Sequence, residues 1–285
     1  GRHHQNDSAG MIWTDCKMFY MPQRSEPWHD MRKGKLTASQ AGDWLAEEAV
    51  CRLAMAELRE AAAVYGVEVE KKLKRDELLA YLTPQLPAEA LPLTTTEKSS
   101  GAKQTAINKC LGALAKLSGP PDYDIDPDGP PPRNPALWAI WNGIRLEDEA
   151  REALQRRIGE DIEEVGFCLH PKGAAGCSPD GLVKGRRIGV EIKCPISETH
   201  VGYLRNGKLP STYKAQVHFS MAITGAEAWH FWSYCPGLPP FHLLVERDRF
   251  TESMVRGIDN FSDDLADARA EMEDMWNQEF GKDKS

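Results

Sequence analysis

At 285 residues, with 41% hydrophobic side chains, the chain is long enough to bury one large core or two small ones. It has no run near the roughly 18 consecutive apolar residues of a membrane span, and the opening GRHHQNDSAG has no apolar signal core, so it reads as a cytoplasmic globular protein with no membrane partner. The formal net charge of -8 argues against a surface coated in cations, but residues 250–285 hold ten Asp or Glu against four Lys or Arg, which leaves room for a positive channel elsewhere.

Taken in chain order, Ser25-Glu26-Pro27 predicts an N-cap with Pro in the first helical turn, opening a short helix that ends near Gly34. Thr37 can cap a second helix, rich in Ala, Leu and Glu, that runs to Gly66. Residues 67–100 read as a helix inside loops, punctuated by Pro84, Pro87 and Pro92, and have the look of an insertion. The basic run Lys71, Lys72, Lys74, Arg75 within it can touch DNA or form a solvated helix face. A helix over 102–117 precedes a Pro/Gly/Asp-rich loop at 119–135.

From Pro135 to Ile158, Leu137, Ile140, Trp141, Ile144, Ala150 and Leu154 recur at helical spacing, with Glu147 on the same face. Strand patterns follow at 161–170, 178–184 and 187–193, then a helix at 211–224, strands near 227–234 and 241–247, and a long acidic helix from about 250. This order predicts an α/β or α+β core, with a mixed sheet flanked by helices, rather than a bundle or sandwich. Seven cysteines in a chain this long, without CxxC pairing among Cys168, Cys177, Cys194 and Cys235, read as free thiols packed as small hydrophobes.

The chemistry gathers in SPDGLVKGRRIGVEIKCP. Asp180 stands at the turn into one strand, and Glu191 and Lys193 are two apart on the next, so strand alternation puts both on one face while Val190 and Ile192 turn to the core. A hairpin through Lys184 to Arg187 can fold that face beside Asp180. Two carboxylates, with the Ile192 carbonyl, are hard oxygen donors suited to Mg²⁺, with Mn²⁺ as a substitute and one or two ions bound. Lys193 beside metal and phosphate can orient an attacking water or take its proton, with its pKa expected to be lowered by the cations and by burial. Taken alone, the ExK triplet is equally a same-face salt bridge. The SPDG run eleven residues ahead of Glu191 and the closing Cys194-Pro195 turn the reading toward a nuclease.

The blocks SEPWHDMRKGKLTAS, WNGIRLEDEAREAL, SPDGL with VEIKCP, YKAQVHFSMAITGAEAWHFWSY and the closing VERD together resemble the lambda-exonuclease-type (YqaJ-like) phage recombination exonucleases of the PD-(D/E)xK superfamily. The resemblance implies a restriction-endonuclease-like core in a single nuclease domain over 1–285, with 45–118, the region that matches least, as a helical insertion. It adds Glu147 to the metal ligands, against a simple i,i+4 pair with Arg151. It also gives Gln216 a place in the site, against a helix Gln bonded to backbone. For the terminal 5′-phosphate it implies Arg32, Ser39 and Ser178, Ser39 reading equally as a cap or surface residue. A further phosphate-binding Arg expected beyond the catalytic Lys is replaced by Thr199, with Arg205 as a nearby substitute.

The implied activity is Mg²⁺-dependent 5′-to-3′ degradation of one strand of linear duplex DNA, releasing 5′-mononucleotides. The implied partners are a homotrimeric ring of the chain itself and a single-strand annealing protein, in a bacterial cell carrying a phage or prophage. The competing readings are a structure- or site-specific endonuclease and a DNA-end-binding recombination scaffold that does not cut. His29, Trp28, His218 and His230 read as packing residues, and so do most of the eight tryptophans.

Overall fold

The computed structural model describes residues 13, 15–41, 49–51, 53–95, 100–114 and 125–280. These fall into two compact units, one of residues 1–46 and 99–285, the other of 47–98.

In the larger unit, β1 (Lys17–Phe19), β2 (Leu36–Thr37), β6 (Phe167–Leu169) and β7 (Ala175–Cys177) form a four-stranded sheet of order β1-β6-β7-β2. A five-stranded mixed sheet has the order β11-β10-β9-β8-β5, built from β5 (Ile162–Glu163), β8 (Gly181–Val183), β9 (Ile188–Lys193), β10 (Ala228–Ser233) and β11 (Phe241–Glu246). Strands β9 and β10 are parallel, and the other neighbours in that sheet are antiparallel.

One face of the five-stranded sheet packs on α6 (Pro135–Ile158), where Leu146, Ala150 and Leu154 meet Val183, Val190, Ile192 and Trp232. Asn134 caps this helix by accepting the Ala136 N–H at 2.9 Å, with Pro135 in the first turn, and Gly159 ends it in the left-handed conformation at φ 70°. The first turns depart from the expected core role, for Ile140 is 44% exposed and faces a cleft instead. The other core joins α8 (Ser211–Thr224) and α9 (Arg249–Phe280) to Trp229, Phe231 and Phe241, with Val217, Phe219, Met254 and Phe261 fully covered. The helix α5 (Ser100–Ala113), inside the range expected as an insertion, lies in this larger unit, its Ile107 and Cys110 joining that core.

Gly189 on β9 lies against the Trp229 ring, and a Cβ there would overlap three ring atoms. We expect Gly189→Ala to lower stability by about 1–3 kcal/mol through this overpacking, read as a reduced urea midpoint at unchanged slope. An unchanged midpoint would mean that the ring is free to move aside.

The smaller unit holds β3 (Ala49–Cys51) paired antiparallel with β4 (Leu93–Thr95), α3 (Met55–Val64), α4 (Arg75–Leu82) and a 3₁₀ turn at Ala88–Ala90. Leu58, Ala62, Leu78, Leu82, Leu86 and Leu91 form its own core. Glu57 and Glu77 each reach back to the N–H at the start of their helix, Ala54 at 2.6 Å and Lys74 at 2.8 Å.

Several expected elements are revised. The single helix expected from Thr37 to Gly66 is instead α2 (Ala38–Ala41), β3 and α3, because strand pairing with β4 overrides helix propensity at Ala49–Cys51. Residues 42–48 of that expected helix, and 119–124 of the expected loop, lie outside the described residues. The strand expected over 161–170 is split at Gly166, where a side chain would strike Met21. The helix α7 (Ser197–Asn206) was not expected at all.

Candidate active site

β9 carries Glu191 and Lys193 on the face turned to α8. Glu191 is 2% exposed. Its Oε1 takes an ion pair from Lys193 Nζ at 2.5 Å and a hydrogen bond from Gln216 Nε2 at 2.6 Å. Lys193 Nζ also stands 4.9 Å from the centre of the Tyr213 ring. Asp180 enters from the turn before β8, where its Oδ2 accepts the Ile192 N–H at 2.6 Å and its own N–H donates to the Val190 carbonyl at 3.1 Å. The two strands thus lock the aspartate beside the glutamate and the lysine through backbone bonds.

Glu147 reaches the same place from α6. Its Oε1 pairs with Arg151 at 2.8 Å, the i,i+4 pair allowed by the sequence, and its Oε2 pairs with Arg24 at 3.2 Å. Arg151 also donates to the Asp180 carbonyl at 3.2 Å, tying helix and strand turn together. Among the described residues no group of three or more His, Cys, Asp or Glu side chains stands ready to enclose an ion, because each carboxylate is turned to a partner within the protein.

The electrostatics of the cluster are strained in a telling way. Burial, then the nearby Glu191, pushes the Asp180 carboxyl up to about 8; Lys193 works against this, Glu147 adds to it, and the Ile192 N–H opposes it. The lowering expected for Lys193 presumes bound cations, and among the chain's own groups the balance runs the other way. Burial does act downward, but the carboxylates of Glu191 and Asp180 outweigh it and hold the ammonium above its ordinary value. Lys193 is therefore a charged donor in the metal-free protein.

A cleft of about 770 Å³ opens over these groups, lined by Asp180, Ile192, Lys193 and Glu147, with Trp138, Ile140 and Tyr213 giving it an apolar side. Thr199 is on its wall, as are Arg24 and Arg133, whereas Arg205 is exposed on α7 and does not line it.

Of the residues expected to hold a 5′-phosphate, the structure brings two together. Arg32 Nη1 donates to Ser178 Oγ at 3.1 Å, and the Trp28 Nε1–H reaches the same hydroxyl at 2.9 Å. The Arg32 guanidinium lies 4.2 Å over the Trp28 ring, and burial lowers its pKa. Ser39 is exposed and near Thr37 at 3.4 Å, with no described contact to Arg32 or Ser178. Trp28, read from sequence as packing, instead orients the Ser178 hydroxyl. The i,i+4 spacing of Trp28 and Arg32 was the available signal. Arg24 had none, since nothing in the sequence marks its backbone, at φ 68° the only positive φ among described non-glycine residues. That conformation costs a side-chain-bearing residue about 1–2 kcal/mol.

A mixed sheet between flanking helices brings together Asp180, from the turn before β8, and Glu191 and Lys193 of β9, the arrangement the sequence led us to expect. Residues 129–227 match the model of the YqaJ-like viral recombinase domain. No curated protein matches the sequence. Among solved structures, an alkaline exonuclease from Laribacter hongkongensis is similar at 24% identity with a TM-score of 0.52, over 89% of this chain and 97% of that one. Its complex with dAMP gives 0.51 at the same identity and coverage. A phage-related exonuclease from Haemophilus somnus 129PT is more distant, at 11% identity and 0.45, over 82% and 96%. At such identities the likeness is one of fold.

Proposed function

We propose that the chain is a metal-dependent exonuclease that degrades one strand of linear double-stranded DNA from its 5′ end, releasing 5′-mononucleotides and leaving a 3′ overhang for strand annealing. The observation that carries this reading is the convergence of Asp180, Glu191 and Lys193, with Asp180 and Lys193 lining an open cleft. The recombinase-family match and an exonuclease neighbour solved with dAMP support it.

The donor set suits a divalent ion. Asp180 is pushed up to about 8 by burial and by neighbouring carboxylates, an arrangement that a bound cation relieves. Asp180, Glu191, the Ile192 carbonyl and Glu147 would hold one or two Mg²⁺ ions, or Mn²⁺ in their place. Such an ion, when bound, polarises the phosphodiester and lowers the pKa of a coordinated water.

The chain's own groups do the rest. Gln216 fixes the Glu191 carboxylate, and the Lys193 ammonium donates to a non-bridging phosphate oxygen as negative charge builds during attack on phosphorus. Water adds to phosphorus and gives up a proton, the P–O3′ bond breaks, the 3′ oxygen leaves with the released 5′-mononucleotide and takes up a proton, and the attacked phosphate stays on the shortened strand as its new 5′ end. Arg32 and Ser178, hydrogen-bonded to each other, would take the terminal 5′-phosphate, with Ser39 a lesser contributor. A homotrimeric ring would keep the enzyme on its track, and a single-strand annealing protein would receive the product, both within the bacterial cytoplasm.

The test is a time course on linear duplexes labelled at one 5′ or one 3′ end, with and without a 5′-phosphate, beside a covalently closed duplex. We expect Mg²⁺-dependent mononucleotide release from the 5′ end and none from the closed form. Cutting of the closed form would mean an endonuclease, and binding without cutting a scaffold.

A further inference from the structure

Arg24 sits in the loop between β1 and α1 (Glu26–Arg32), in a left-handed backbone conformation that glycine adopts without penalty. The loop is pinned on both sides of it. Gln23 Nε2 donates to the Pro179 carbonyl at 2.8 Å and to the Val165 carbonyl at 3.2 Å, and Ser25 Oγ donates to the Pro22 carbonyl at 2.6 Å. The position of Arg24 is thereby referenced to the residue just before Asp180. Its guanidinium lies on the cleft wall, 3.2 Å from Glu147 Oε2, with its side chain 48% exposed.

Arg133 shares the cleft wall with Arg24, and two further arginines near the site are committed elsewhere. Arg151 is buried among Glu147, Asp148, Glu164 and the Asp180 carbonyl, and Arg32 is stacked on Trp28 and bonded to Ser178. Thr199 is on the cleft wall where an arginine was expected, and it carries no charge. Arg24 combines a planar two-pronged donor, access to solvent and a single weakly held partner in the described structure.

We propose that Arg24 is a DNA-binding residue of the cleft: on substrate entry its guanidinium turns from Glu147 to a backbone phosphate of the strand lying over Asp180 and Lys193, supplying the cation that Thr199 does not. This rests on the nuclease reading. The exchange has a second effect, because it frees one oxygen of Glu147 as the DNA arrives.

The test is binding of a linear duplex in EDTA, so that nothing is cut, measured by fluorescence anisotropy from 50 to 300 mM KCl for the wild type, Arg24→Gly and Arg24→Lys. Arg24→Gly should bind roughly tenfold more weakly near 100 mM salt, and its plot of log K against log salt should be shallower by about one. Arg24→Lys should keep most of the slope. Because glycine suits the local backbone, Arg24→Gly should melt no lower than the wild type, which separates a lost contact from a damaged fold. If it does melt lower, Arg24→Gln gives the same comparison with the side chain retained. Wild-type affinity and slope in a folded, uncharged variant overturn the proposal, and a wild type that neither binds linear duplex nor releases nucleotides overturns the nuclease reading with it.

Discussion

Replacing Lys193 by Ala is expected to slow nucleotide release by about 10²- to 10⁴-fold, the range for a positioned group that donates or accepts in the transition state. The effect should fall on kcat. The ammonium stands 2.5 Å from Glu191 and lines the cleft in which the proposed reaction would develop charge, while Arg24 and Arg133 on the cleft wall remain to hold the proposed substrate. Single-turnover rates on a 5′-labelled duplex, with binding measured in parallel, separate the two. Equal losses in binding and rate would make Lys193 a general anchor for DNA, and an unchanged rate would remove it from the chemistry. Lys193→Arg keeps the charge but changes its shape, so only partial rescue is expected.

The second large effect concerns Asp180 and is visible without any substrate. Burial and the neighbouring Glu191 push its carboxyl up to about 8 in the folded chain, against about 3.9 in an unfolded one. Between those values the folded state holds a proton that the unfolded state has released. Stability must therefore fall as pH rises through this window. We expect the metal-free wild type to melt progressively lower from pH 5 to pH 8. Mg²⁺ should restore the loss at the upper end, by about 2.7 kcal/mol at a hundredfold excess over its Kd, because ligation needs the ionised carboxylate. Asp180→Asn should flatten the decline, abolish the Mg²⁺ response and eliminate nuclease activity. A wild type and variant with parallel pH profiles would show that this carboxylate is not the one under strain.

The catalytic strand was legible because its signal is local. Val190 and Ile192 alternate with Glu191 and Lys193, and a two-residue period puts charges on one face whatever packs around them. Helix α6 was equally plain, because its apolar residues recur at helical spacing from Pro135 to Ile158. Where placement depends on distant partners, the sequence was mute. β3 forms only because Leu93–Thr95 comes back to meet it. α7 buries His200 alone, so it offers no apolar stripe to read. The tryptophans divide in the same way, Trp229 and Trp232 being core as expected, while Trp28 orients a serine and Trp138 lines the cleft. The lysine's charge is another such case, since its direction depends on how near two carboxylates come in space.

β9 is an interior strand, paired with β10 from Ile188 to Lys193 on one side and with β8 at Gly189 and Val190 on the other, where the Asp180 carboxylate takes the next inward N–H, that of Ile192. Fraying from the sheet edges reaches β9 only after β11 and β10, or β5 and β8, have parted, since partial opening starts at sheet edges and chain ends. A site set in the middle of a sheet shares its breaking point with the sheet: on warming, Glu191 and Lys193 are expected to hold their spacing until the sheet gives way, so that the proposed cutting would be lost in a single step instead of eroding.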